Sequence, residues 1–250
     1  MLHRLIEELS LNAWPSLQTV CNDGWILRFA DGYTRRANSV NPLYPSSGSV
    51  DTGDRIAHCE ALYTSRGQDT MFKLTAASEP PDLDAILAAR GYRQEAVTSV
   101  QVRDLESDDV SPVGSVAIGD RLTDDWLAGF CRLSGVAGRH VPTMARLLGL
   151  IVPPRCFILL HHEGETVAAG LAVAERGHVG LFDGVTAPRA RRQGFGTQLV
   201  LQMLGWGKAS GAGRAYLQVM LDNTPARHLY DRLGFREAYR YWYRVRTMGS

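Results

Sequence analysis

The sequence predicts a mixed α/β protein of two similar units, each a central mixed sheet flanked by helices. Three observations carry this. Apolar spacing switches repeatedly between the two-residue period of strands and the 3.6-residue period of helices along the chain. A strand, loop, helix, strand, helix, strand series occurs twice, with nearly equal distances from Val40 to Gly67 and from Val185 to Gly211. Length agrees: 250 residues hold one large domain or two small ones, and 45% hydrophobic content is ample for buried cores.

Residues 2–14 have helical apolar spacing. Strands are expected at 17–21, 24–30 and 33–40, separated by the turn signals Asn22-Asp23-Gly24 and Asp31-Gly32. The stretch NPLYPSSGS, rich in Pro, Ser and Gly, reads as a loop. A helix over 53–65, a strand over 70–76, a helix over 81–89 closed by Gly91 and a strand over 95–103 complete the first unit, assigned to 1–103. The acidic, Ser- and Pro-bearing stretch 104–112 reads as a linker to a second unit at 113–250.

In that unit, 124–133 and 142–150 read as helices. Strands at 156–162, 166–175 and 178–186 form an antiparallel meander turning at Glu163-Gly164 and Arg176-Gly177. A helix to about 209 comes next, striped by Leu199, Met203, Leu204 and Trp206, and Gly211 and Gly213 end it. The strand 214–220 leads to a helix starting near Asp222 and Asn223, with Pro225 in its first turn and Gly234 at its stop. A last strand, 237–246, puts Tyr239, Tyr241 and Tyr243 on one face and Arg240, Trp242 and Arg244 on the other. Core packing is the expected use of these tyrosines, with pocket lining as the alternative.

A net charge of +1 supplies no broad basic field for nucleic acid. No stretch is apolar for the length a bilayer needs, and the N-terminus carries acids where a signal peptide has its apolar core, so neither a membrane nor export is expected and the cytoplasm is the expected location. Cys21, Cys59, Cys131 and Cys156 are scattered with no C-x-x-C spacing and read as reduced thiols. Lys73 and Lys208 are the two lysines among 27 basic residues, an arginine bias that points to a GC-rich bacterial genome. His161 and His162 face opposite sides of a strand and have no third ligand at chelating spacing, so no metal is expected.

The stretch APRARRQGFGTQL runs from a strand through a glycine turn into a helix. Unpaired N–H groups and the positive end of the helix dipole converge at such a junction and favour an anion. Gly194 and Gly196 admit close backbone approach, and neighbouring arginines recognise phosphate bidentately. No Lys-Ser/Thr comes after them for a nucleotide-hydrolysing loop, and no third glycine for a dinucleotide fingerprint. A bare G-x-G is equally a tight turn. Its context is not bare: Val185-x-x-Pro188-x-x-Arg191-x-x-Gly194-x-Gly196, followed by Asn223-x-x-Ala226-x-x-x-Tyr230-x-x-Leu233-Gly234-Phe235, resembles the paired signature of the GNAT superfamily of N-acetyltransferases.

The resemblance implies two GNAT-like units, the first a degenerate copy in which Tyr44-Pro45-Ser46-Ser47-Gly48-Ser49 stands where the second has Arg191-Arg192-Gln193-Gly194-Phe195-Gly196. It implies that the second loop holds the pyrophosphate of coenzyme A and that the preceding strand splays from its neighbour to pair with the pantetheine arm. The cofactor-binding residues so implied are Val185, Thr186, Ala187, Arg191, Arg192, Gln193, Gly194, Phe195, Gly196, Thr197 and Asn223. Asn223 also sits where a helix N-cap belongs, and either use explains it.

Acetyl transfer to an amine requires a base, carbonyl polarisation and a proton for the departing thiolate. Tyr230 matches the family's tyrosine acid, and a phenol's ordinary pKa lies above that of a thiol; its bland reading is an aromatic packed beside Leu229 and Leu233. Asp183 precedes Val185 by two, so strand alternation puts both on one face near the expected thioester, as base or ammonium ligand; it reads equally as an exposed strand carboxylate. Glu175 and His178 are lesser candidates. Arg35, Arg36 and Asn38 are candidates for an acceptor's carboxylate or phosphate, against a solvated hairpin. The expected activity is acetyl transfer from acetyl-coenzyme A to a primary amine, on a small molecule or a peptide, by direct attack in a ternary complex. An acyl-coenzyme A sensor or scaffold, or a longer acyl donor, is the alternative. A monomer or homodimer is expected.

Overall fold

The computed structural model describes residues 2–48, 50–105 and 115–249. In chain order the elements are α1 (Leu2–Ala13), β1 (Gln18–Asn22), β2 (Trp25–Phe29), β3 (Val40–Pro42), α2 (Thr52–Thr64), β4 (Thr70–Thr75), α3 (Leu83–Ala89), β5 (Arg93–Asp104), β6 (Ser115–Gly119), α4 (Asp124–Ser134), α5 (Val141–Gly149), β7 (Arg155–His162), β8 (Glu165–Glu175), β9 (His178–Thr186), α6 (Phe195–Ala209), β10 (Arg214–Met220), α7 (Thr224–Arg232) and β11 (Arg236–Arg246). They form two compact units, Met1–Ser99 with Tyr239–Ser250, and Val100–Ala238. The expected linker lies outside the described residues from 106 on, and its first residue, Asp104, ends β5.

The expected second unit, 113–250, differs from this division at both ends. β11 pairs antiparallel with β4, Tyr243 opposite Lys73 and Tyr241 opposite Thr75, so the last strand belongs to the first unit. Its tyrosines are buried there as core, and the Tyr239 hydroxyl donates to Glu7 Oε1 at 2.7 Å. That carboxylate also takes Lys73 Nζ at 2.5 Å, an ion pair both of whose side chains are withdrawn from water. Buried charges of this kind require such pairing.

The first unit orders its strands β1-β2-β3-β4-β11. α2 crosses between the parallel pair β3 and β4, and its Ile56, Cys59 and Tyr63 pack with Trp25, Leu27, Val40 and Phe72. The expected strand over 33–40 is corrected: 35–37 forms a 3-10 turn and only Val40–Pro42 is strand. Asn38 is the cause. Its buried side chain accepts the Ala30 and Gly32 N–H groups at 2.8 and 3.1 Å and donates to the Tyr33 and Thr34 carbonyls at 2.8 and 2.9 Å, tying 30–34 into a loop.

The second unit orders its strands β10-β9-β8-β7-β6, with β6, a strand not expected from sequence, at one end. β9 and β10 are parallel and α6 crosses between them. Leu199, Val200, Met203 and Leu204 of α6 pack with Val179 and Leu181 of β9 and Ile158 of β7, each such side chain contributing about 1.5–3 kcal/mol. Gly207 permits the close contact, since a Cβ there would lie 2.5 Å from Val179 Cγ1.

Candidate functional site

β9 and β10 are hydrogen-bonded from His178 and Arg214 only as far as Leu181 and Leu217. Beyond that register the strands part, and the remainder of β9, through Val185 and Thr186, keeps β8 alone as its partner among the described residues. This leaves one edge of the β9 backbone at Val185 and Thr186 outside the β9–β10 ladder. Ala187 is buried and gives its N–H to Val167 at 2.8 Å, which closes off that donor.

A 3-10 turn, Pro188–Ala190, leads to the glycine loop. Gly194 is the N-cap of α6 at φ +91, a conformation that favours glycine, and a Cβ added there would meet nothing within 4 Å. Among the described residues no side chain caps the helix, which leaves its first N–H groups without a side-chain acceptor. Arg191 and Arg192 are exposed and have no ion pair among the described residues. Gln193 serves the loop itself, donating to the Arg189 carbonyl at 2.9 Å, and Phe195 is buried in the core. Thr197 lies half-buried in the first turn of α6.

α7 brings the second motif onto the first. A Cβ at Gly196 would lie 3.4 Å from both Leu229 Cδ2 and Thr186 Oγ1, and one at Gly184 would lie 3.9 Å from the Tyr230 hydroxyl. The Tyr230 ring packs edge-on against Phe235 at 5.9 Å, and its hydroxyl makes no hydrogen bond among the described residues. Burial pushes its pKa up from 10.0, keeping the phenol protonated. The ring is thus packed beside the motif's apolar residues, and the phenol is protonated. Asn223 caps α7, accepting the Ala226 N–H at 3.3 Å.

The family described as "Probable histone acetyltransferase Rv0428c C-terminal" matches residues 3–244. The chain is a GNAT-family acetyltransferase. It is 28% identical over 247 residues to "Uncharacterized N-acetyltransferase YobR" of Bacillus subtilis, covering 97% of this chain and 98% of that one. It is 30% identical over 246 residues to "Probable histone acetyltransferase Rv0428c" of Mycobacterium tuberculosis, covering 93% and 70%. A 76-residue stretch, 30% of this chain and 52% of that one, is 33% identical to an aminoglycoside N(6')-acetyltransferase of Serratia marcescens. Among solved structures the fold is shared with a GCN5-related N-acetyltransferase from Kribbella flavida, at TM-score 0.72 and 16% identity over 99% and 96% of the two chains. It is also shared with a tandem GNAT protein from the clavulanic acid biosynthesis pathway, at TM-score 0.69 and 14% identity over 98% and 88%.

In this GNAT chain the expectation that alternation puts Asp183 and Val185 on one face is corrected. Asp183 has φ 51 and sits in a bulge: Val185 pairs with Ala169 and Phe182 with Leu171, leaving Asp183 and Gly184 opposite Gly170 alone. A bulge breaks strand alternation, so the orientation of Asp183 is not set by that of Val185. It adjoins Gly184, where an added Cβ would lie 3.9 Å from the Tyr230 hydroxyl. The Asp-Gly pair is itself a turn signal inside a strand, and it could have announced the bulge.

Other candidates lie elsewhere. Glu175 and His178 form the hairpin at the end of β9 away from the loop. In the first unit, Arg35 is held by Glu95 at 2.5 Å, the Arg36 guanidinium lies 4.5 Å from the Trp14 ring, and the polar atoms of Asn38 are spent on the 30–34 loop. His161 contacts Thr166 Oγ1 at 3.4 Å, while the His162 ring lies 5.1 Å from that of Phe195. A groove of about 590 Å³ beside α4, walled by Trp126, Phe157 and Leu159, contains none of the motif residues.

Proposed function

We propose that the chain transfers an acetyl group from acetyl-coenzyme A to a primary amine by direct attack in a ternary complex. The observation that carries this reading is the meeting, at Gly184, of a parted strand pair, a backbone bulge and a protonated tyrosine hydroxyl. The open N-terminus of α6, its glycine cap and the two exposed arginines fit a diphosphate in chemistry and in space. The names of the relatives, N-acetyltransferase, histone acetyltransferase and aminoglycoside acetyltransferase among them, support an amine acceptor.

Coenzyme A presents the acetyl group as a thioester, which an amine attacks to form an amide and release a thiol. On this reading Arg191, Arg192 and the α6 N–H groups hold the diphosphate, and Val185 and Thr186 offer backbone partners along the open edge. Asp183 accepts the proton lost by the amine, directly or through water, and Tyr230 Oη hands a proton to the departing sulfur. Burial pushes the Cys156 thiol up to about 12 and raises that of Cys131, which disfavours either as a nucleophile and suits direct attack. Among the described residues no helix is long and apolar enough to cross a membrane, and the proposed location is the cytoplasm.

Tyr230→Phe tests the reading in a thiol-release assay over a panel of amines. It lowers kcat by roughly 100-fold, the scale of one acid–base group, and leaves the calorimetric affinity for coenzyme A within about 2-fold. Tight coenzyme A binding by the wild type without turnover of any amine would instead favour an acyl-coenzyme A sensor.

A further inference from the structure

We propose that Trp126 is a positioning residue for acyl transfer: its indole N–H holds the Gly170 carbonyl, and through it the Asp183–Gly184 bulge that the Tyr230 hydroxyl overlooks. The catalytic consequence of this contact rests on the acetyl-transfer reading. Its structural half stands alone.

Gly170 is the point at which the β8–β9 ladder slips, with two residues of β9 opposite it and neither in register. A bulge disrupts the regular ladder, so the residue opposite it depends more on its other contacts to stay in place. Trp126 Nε1 is such a contact, donating to the Gly170 carbonyl at 3.2 Å and to that of its paired β7 neighbour Ile158 at 3.1 Å. α6 fixes the same residue by packing, since a Cβ on Gly170 would lie 3.2 Å from Leu199 Cδ1 and from Met203. Gly170 is thus pinned by a hydrogen bond from α4 and by contact with α6.

The indole is itself held firmly. Trp126 is 2% exposed, stacked on Phe130 at 5.1 Å and 3°, and edge-on to Phe157 at 5.0 Å. Its backbone N–H is capped by Thr123 Oγ1 at 3.1 Å. Gly129, one turn on, lets α4 approach the sheet, a Cβ there lying 3.3 Å from Leu159 Cδ2. Packing in this place is equally served by phenylalanine. The donor aimed at the bulge distinguishes tryptophan, which combines a large apolar body with one N–H.

Trp126→Phe keeps the stack and removes the donor. Hydrogen exchange at 180–187 should rise about 10-fold, the scale of one hydrogen bond, without a matching rise in β10 or α7. With an amine that the wild type turns over, kcat should fall about 10-fold while coenzyme A affinity stays within about 2-fold, because the diphosphate loop is untouched. If Trp126→Phe does not fold, the benzothiophene isostere of tryptophan, of equal shape and without the N–H, takes its place. Unchanged exchange at 180–187, or a uniform rise that tracks a lowered Tm, overturns the proposal. Should the wild type turn over no amine at all, acetyl transfer falls, and the exchange measurement still decides whether Trp126 holds the bulge.

Discussion

Both units run from a strand through a loop into a helix that crosses to a parallel strand, yet the two junctions use their donors in opposite ways. In the second unit the loop ends on Gly194, no side chain caps α6, and Arg191 and Arg192 point no charge at any carboxylate among the described residues. In the first unit the chain supplies its own acids. Asp51 caps α2 and accepts the Gly53 N–H at 2.6 Å. Asp23, from the β1–β2 turn, accepts the Ser47 N–H at 2.8 Å and the Ser46 hydroxyl, and these bonds pull its carboxyl down to about 2. Arg55 is occupied too, giving its guanidinium to the Asp23 carbonyl at 2.6 Å and lying 3.9 Å from the Trp25 ring. A helix N-terminus is an anion site only where its donors are left over, and here the same topology yields one spent junction and one open one.

The strongest way to break that contrast is to reverse charge at the open loop. Arg191→Glu should weaken coenzyme A binding by about 100-fold or more, since each charge-assisted hydrogen bond contributes about 1.5–3 kcal/mol and the substitution adds repulsion. Calorimetry on the wild type should find one molecule bound per chain. Two sites per chain, or a full-affinity site surviving in Arg191→Glu, would place a working junction in the first unit.

The helix and strand boundaries of the second unit from α4 to α7 were legible because Gly, Asp and Asn mark its turns and its strands alternate. The meeting of Gly196 with Leu229 and of Gly184 with Tyr230 was legible only through the paired motif, as residues far apart in sequence leave no local trace of contact. Apolar periodicity did not register several other features, β6 among them. The bulge at Asp183 breaks a strand whose apolar pattern stays intact around it. Asn38 builds a loop by side-chain bonds to backbone, which periodicity does not register. β11 alternates as expected, but alternation does not name a partner, and pairing with β4 is a long-range choice. Trp126 carried no signal beyond that of an aromatic at core spacing.

A matched pair of glycines sharpens the comparison at smaller cost. Gly194 and Gly48 have φ +91 and +82, and a Cβ at either would meet nothing within 4 Å. Alanine at each position should therefore destabilise by a similar amount, about 1–2 kcal/mol for a left-handed backbone, visible as similar drops in Tm. Only Gly194→Ala should also weaken coenzyme A binding, by about 10-fold, because only there does the strained residue open an unspent helix end. Equal effects on binding would show that the two loops differ less than their hydrogen bonds say.

The smallest effect belongs to Asp23. Its carboxyl titrates at about 2 in the folded chain against 3.8 ordinarily, with the Ser46 hydroxyl bond as the largest cause. A lowered folded pKa stabilises above the ordinary value, so the contribution is complete above pH 3.8 and disappears as pH falls through about 2. The Ser47 amide resonance should report that midpoint in the wild type, and Asp23→Ala should abolish the titration while raising exchange at that amide at neutral pH. Coenzyme A stoichiometry should stay at one per chain even then. Removing the acid frees a serine hydroxyl and a backbone N–H, but Asp51 still caps α2 and Arg55 remains bound to backbone carbonyls, so no cation is released to hold a diphosphate. A second calorimetric site in Asp23→Ala would show that this one carboxylate is what closes the first junction.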